Sequence, residues 1–129
     1  MDRFKKGETM KTTARQFKVY REACQKWIDI FGLKTWRVVF RHIALPIEVA
    51  AQCTWYTDSG ACYLDFNRET NAECDFSDKE IKRYAFHEVM HLVFGRVNTL
   101  AECRYTSQDE IDQEFHALIR LFENVILAG

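Results

Sequence analysis

The stretch Ser77-Asp78-Lys79-Glu80-Ile81-Lys82-Arg83-Tyr84-Ala85-Phe86-His87-Glu88-Val89-Met90-His91-Leu92-Val93-Phe94-Gly95 carries a helix start, a helix period and a helix stop. Ser77 followed three residues later by Glu80 is the pattern of a capping box, in which a hydroxyl and a carboxylate satisfy the first free backbone N–H groups. Ile81, Tyr84, Ala85, Val89, Leu92 and Val93 supply apolar surface at helical intervals, and Gly95 can adopt the left-handed conformation that ends a helix. A helix from about Asp78 to about Phe94 is therefore predicted. On it, His87 and His91 stand four residues apart, on one face and one turn from each other, so both imidazoles can reach a single ion. Glu88 points to the side of that pair, where its carboxylate can take a proton from a metal-bound water without occupying the metal. The plain alternative is a half-buried helix bearing two ordinary polar histidines.

Downstream, Asp109 and Glu110 suit the positively polarised first turn of a helix after Ser107, and Ile111, Phe115, Leu118, Ile119, Phe122 and Ile126 continue an apolar face. A catalytic zinc needs a third protein ligand. Glu110 and Glu114, one turn apart, are the candidates, with Glu110 favoured as ligand and Glu114 as the carboxylate orienting a ligand imidazole; the reverse assignment stays open. Tyr105 lies before this helix, where its hydroxyl can donate to a tetrahedral intermediate, although packing or capping is the more common use of such a tyrosine. His116 and His42 are expected as surface or satisfied histidines, Tyr84 as a core residue.

Upstream, Phe17, Tyr20, Cys24, Trp27 and Phe31 predict an amphipathic helix over about Thr13 to Phe31, capped by Gly32. Trp36, Val38 and Phe40 alternate with Arg37, Val39 and Arg41 as in a strand with one buried face. Val49 to Tyr56 and Ala61 to Phe66 read as a hairpin around Thr57-Asp58-Ser59-Gly60. Residues 67 to 76 read as a polar connection and residues 1 to 12 as a frayed end. The expected fold is α+β: one domain over residues 1 to 129, with an N-terminal helix, a small sheet, an active-site helix and a C-terminal ligand helix.

Charge is nearly balanced, 18 Lys plus Arg against 19 Asp plus Glu, which excludes a uniformly basic nucleic-acid surface. Residues 1 to 21 nevertheless hold seven basic against two acidic side chains, a net +5 that a solvated helix face or an anionic partner would explain. Five cysteines without a Cys-x-x-Cys spacing argue against a disulfide scaffold or a zinc ribbon. No stretch of about 20 apolar residues is present, so no membrane span is expected, and a cytoplasmic location is the default.

The His87-Glu88-Val89-Met90-His91-Leu92 segment, with the acidic helix from Glu110 to Asn124, resembles the gluzincins. In size and layout the chain looks more closely like the short metallopeptidases of phages and prophages related to SprT-like minimal zincins. The resemblance implies a hydrolase, a protease that uses Zn2+ held by His87, His91 and Glu110 or Glu114 to attack a peptide bond with Glu88 as general base. It also implies a peptide or protein substrate added to the free edge of Ala61 to Asn67, and a possible association with DNA. The competing expectation is a non-catalytic structural or regulatory domain stabilised by zinc.

Overall fold

The computed structural model describes residues 7–103 and 106–127. Its elements in chain order are β1 (Thr9–Lys11), α1 (Ala14–Phe31), β2 (Arg37–Ile43), β3 (Ala51–Tyr56), β4 (Ala61–Asn67), β5 (Glu69–Asn71), α2 (Asp78–Glu102) and α3 (Gln108–Ile126). The mixed α+β character expected from the pattern is present.

Helix α1 begins in a full capping box: the Thr13 hydroxyl accepts from the Gln16 backbone N–H while the Gln16 side chain accepts from the Thr13 N–H. It ends at Gly32, whose φ of 65° lets its own N–H and that of Leu33 turn back onto Asp29 and Ile28 carbonyls. The stripe Tyr20, Ala23, Cys24, Ile28 and Phe31 is buried, as the apolar period requires.

The three-stranded sheet has the order β2-β4-β3, with β2 parallel and β3 antiparallel to β4. The predicted hairpin is thus β3-β4. Central β4 buries Cys62, Leu64 and Phe66 on the face that meets the helices; Phe66 packs 5.0 Å, centroid to centroid, from Tyr20 of α1. Its other face is polar: Asp65, fully buried, accepts from Arg41 Nε at 2.7 Å, from the second Arg41 nitrogen at 2.8 Å and from Gln52 Nε2 at 3.1 Å. The end of β4 is fastened by Asn67, whose side chain accepts from the Leu45 and Glu69 N–H groups and donates to the Pro46 and Val49 carbonyls. All the capacity of that buried amide is used, which is how an irregular loop around Pro46 holds one conformation.

Three expectations change. Residues 67 to 76 include β5, which pairs antiparallel with β1 inside the supposedly frayed end; Thr12, next to β1, is buried and donates to the Asn67 carbonyl at 2.6 Å. The Thr12 hydroxyl hydrogen is thereby spent, so His42 Nε2, 2.7 Å away, is the donor of their shared bond. Second, Ala61 to Asn67 has no free edge, because β2 and β3 flank it on both sides. Third, α2 does not stop at Gly95 but runs on to Glu102. Gly95 is buried beneath the Trp55 ring inside the helix, where a small side chain is all that fits: a Cβ would lie 3.4 Å from Trp55 Cδ1.

Candidate functional site

Helix α2 lies beside α1 and against β3, and α3 closes over both helices through Phe122, which meets Phe31 at 6.0 Å and Phe94 at 6.1 Å between centroids. This packing buries Ala85, Val89, Leu92 and Val93 and leaves His87 and His91 exposed. Their Nε2 atoms are 3.3 Å apart, within reach of one shared proton. The four-residue spacing thus has the local result that the sequence implied.

Glu88 goes the other way. It is 8% exposed and is directed inward toward β3 and the α1 floor of Tyr20 and Cys24. Burial pushes its carboxyl group up to about 7, and the Cys53 backbone N–H of β3 pulls weakly in the opposite direction. Among the described residues no cation offsets that burial. Burial also raises the Tyr20 phenol and the Cys24 thiol, and the Glu88 charge adds to both shifts. Burial lowers His91, with nearby His87 as a second cause.

Sequence reasoning passed over Trp55 and Cys53, which complete this arrangement. Trp55 stacks on His91 at 6.3 Å between centroids and 16° between planes. It lies over Gly95, and its indole N–H reaches the Thr99 hydroxyl at 3.4 Å. Thr99 in turn donates to the Gly95 carbonyl and meets Thr57 at 3.0 Å, tying the end of the hairpin to α2. The aromatic residue in the β-prone run was visible, but its partner lies 36 positions away in the chain and no local period predicts it.

The remaining expected site residues are not gathered around the histidines. Glu110 turns back to its own helix start, where its carboxylate accepts from the Ser107 N–H at 3.3 Å and from the Ser107 hydroxyl at 3.1 Å. Glu114 is half-buried on α3, one turn before buried Leu118. Tyr105 lies outside the described residues. His116 Nδ1 meets the Asp112 carbonyl at 2.8 Å, and the Tyr84 hydroxyl donates to the Asp75 carbonyl at 2.8 Å.

No family model, curated protein or solved structure matches this chain. The resemblance to gluzincins and SprT-like phage metallopeptidases is therefore not supported by any comparison. Among the described residues, moreover, no three His, Cys, Asp or Glu side chains come together so as to hold a metal ion. The zinc peptidase, its Zn2+ and its metal-dependent hydrolysis are corrected on that ground, and so is the zinc-stabilised alternative. The physical reason is specific: α2 contributes two imidazoles to one place, Glu88 faces the interior, and the Glu110 carboxylate is consumed as a helix cap. Among the described residues no helix is long and apolar enough to cross a membrane.

Proposed function

We propose that the domain binds an extended segment of another polypeptide, added as a further strand to the open edge of β3, with His87 and His91 as the polar groups beside it. The supporting observation is the register of the hairpin. The Asn67 N–H donates to the Ala50 carbonyl, and β3 pairs with β4 from Ala51↔Phe66 to Tyr56↔Ala61. In an antiparallel ladder the hydrogen-bonded pairs alternate, so residues 50, 52, 54 and 56 spend their backbone groups on β4, while Ala51, Cys53 and Trp55 point theirs away from it, the Cys53 N–H toward Glu88. Strand addition uses such a row, and alternate side chains of the guest then meet neighbouring pockets. Here they meet the exposed histidine pair and the Trp55 ring.

The test is an NMR titration of the 15N-labelled domain with a pool of degenerate ten-residue peptides. Saturable shifts are expected at the Ala51, Cys53 and Trp55 amides and at the two histidine rings. Ala51→Pro removes one outward donor without touching the β4 ladder, so it should keep the amide spectrum dispersed and weaken binding at least tenfold. Undiminished binding by the proline variant, or shifts confined to other surfaces, would reject the proposal.

A further inference from the structure

Most of α1 and the N-terminal half of α2 run side by side in the same direction, from the Arg15–Asp78 contact to the Trp27–Phe86 contact. Between those two cross-helix contacts lies a groove of about 540 Å3, a size suited to one small organic ligand. At one end Asp78 is held by the two-pronged bond of Arg15, at 3.2 and 2.9 Å. At the other end Trp27 and Phe86 meet edge to face, with centroids 4.9 Å apart, and Phe86 remains 39% exposed. The distance between the ends, from Asp78 to Phe86, is about 12 Å along the helix axis.

The charges of the groove are unevenly compensated. Its two acids are already engaged, Asp78 by Arg15 and Glu22 by Lys18 at 3.9 Å. Of its four cations, Arg83 has Glu80 at 3.8 Å and Lys26 lies over the Trp27 ring at 5.3 Å. Lys79 and Lys82 have no ion pair among the described residues. Val19 and Ala23 of α1 give the lining an apolar share. One half of the groove therefore presents clustered cations near the start of α2, and the other half presents an accessible aromatic ring.

From this juxtaposition we infer that the groove is a binding site for a free nucleoside phosphate, its phosphate held by Lys79, Lys82 and Arg83 and its base laid against Phe86. Clustered ammonium and guanidinium groups match a multiply charged phosphate. A base, unlike an aliphatic chain, gains from stacking on the ring. A length of about 12 Å along α2 matches a single nucleotide unit and not a continuous strand. The site is separate from the β3 edge and does not depend on the peptide-binding proposal.

The experiment is an NMR titration of the intact chain at low salt with ADP, pyrophosphate, adenosine and an eight-residue oligodeoxyadenylate. ADP is expected to shift the Lys79, Lys82 and Phe86 amides and the Trp27 indole N–H, and to bind at least tenfold more tightly than pyrophosphate or adenosine. The double variant Lys79→Glu, Lys82→Glu changes only exposed side chains. It should weaken ADP at least tenfold while its spectrum stays dispersed, with Lys82→Ala as a milder second variant. Phe86→Ala should bring ADP down to the affinity of pyrophosphate. Absence of saturable shifts at millimolar ADP, or equal affinity for pyrophosphate, would overturn the inference. Tenfold tighter binding of the oligonucleotide at the same residues would overturn the assignment to a free nucleotide.

Discussion

Asp65 and Glu88 are both buried carboxyl groups, and they are treated in opposite ways. Asp65 on β4 is fully buried, yet it receives two bonds from Arg41 and one from Gln52. Glu88 on α2 has no cation offsetting its burial among the described residues, only the Cys53 N–H, and its carboxyl group is pushed up to about 7. A buried charge costs several kcal/mol unless it is paired and hydrogen-bonded. The first group meets that requirement and fixes the sheet. The second leaves it unmet, beside an open strand edge and two exposed imidazoles, and this marks the β3–α2 junction as the place where the fold gives up stability.

Neutralising each carboxylate at constant shape should separate the two roles most clearly. Asp65→Asn leaves the Arg41 fork facing a carboxamide and should cost about 3 kcal/mol, read from the urea midpoint at pH 7. A near-neutral result would remove the contrast. Glu88→Gln should act with the opposite sign. With a folded carboxyl group near 7 and an ordinary unfolded one, the native state holds the extra proton between about pH 4.5 and pH 7, so wild-type stability falls as pH rises through that window. The variant should be more stable than wild type at pH 8 by about 1 to 2 kcal/mol, with no such gain at pH 4. His91 works against Glu88: with its folded value lowered, stability is full above its ordinary range and is lost as pH falls through it. A His91→Gln variant should flatten the acid side of the same stability curve.

Gly95 tests what supports the junction. An alanine Cβ would sit 3.4 Å from Trp55, an ordinary contact, so Gly95→Ala should be neutral or gain up to about 1 kcal/mol from helix propensity. Gly95→Leu has no room and should displace the Trp55 ring from His91, visible as a change in the His91 ring shifts. The smallest effect is expected for Thr99→Val, which removes the hydroxyl joining Trp55, Thr57 and α2 and should cost about 0.5 to 1 kcal/mol by thermal unfolding.

The two S-x-x-E segments show where local reading succeeded and where it misled. Ser77 and Glu80 were read as a capping box, and the Ser77 hydroxyl does accept from the Glu80 N–H, but the Ser77 N–H goes to Asp75. Ser107 and Glu110 carry the same pattern and form the complete box. Glu110 was instead expected as a metal ligand, although a capping role was equally legible from its position three residues after a serine. The connection over residues 67 to 76 hides its strand for a different reason: β5 is three residues long and exists through its pairing with β1, about 60 positions earlier.

By itself the sequence determined what depends on neighbours within a turn or two: the three long helices, the Gly32 end of α1, the Ser77 start of α2, the hairpin between β3 and β4, and the approach of His87 to His91. These follow from backbone periodicity and from side chains three or four residues apart. Tertiary structure alone decided that β4 is central and β3 open, that Gly95 receives the Trp55 ring, that Asp65 is paired while Glu88 is not, and that no third metal-ligating side chain joins the histidines among the described residues. Each of these depends on where distant segments come to rest, and loop closure between them is governed by the packing of the whole core, which no local pattern encodes.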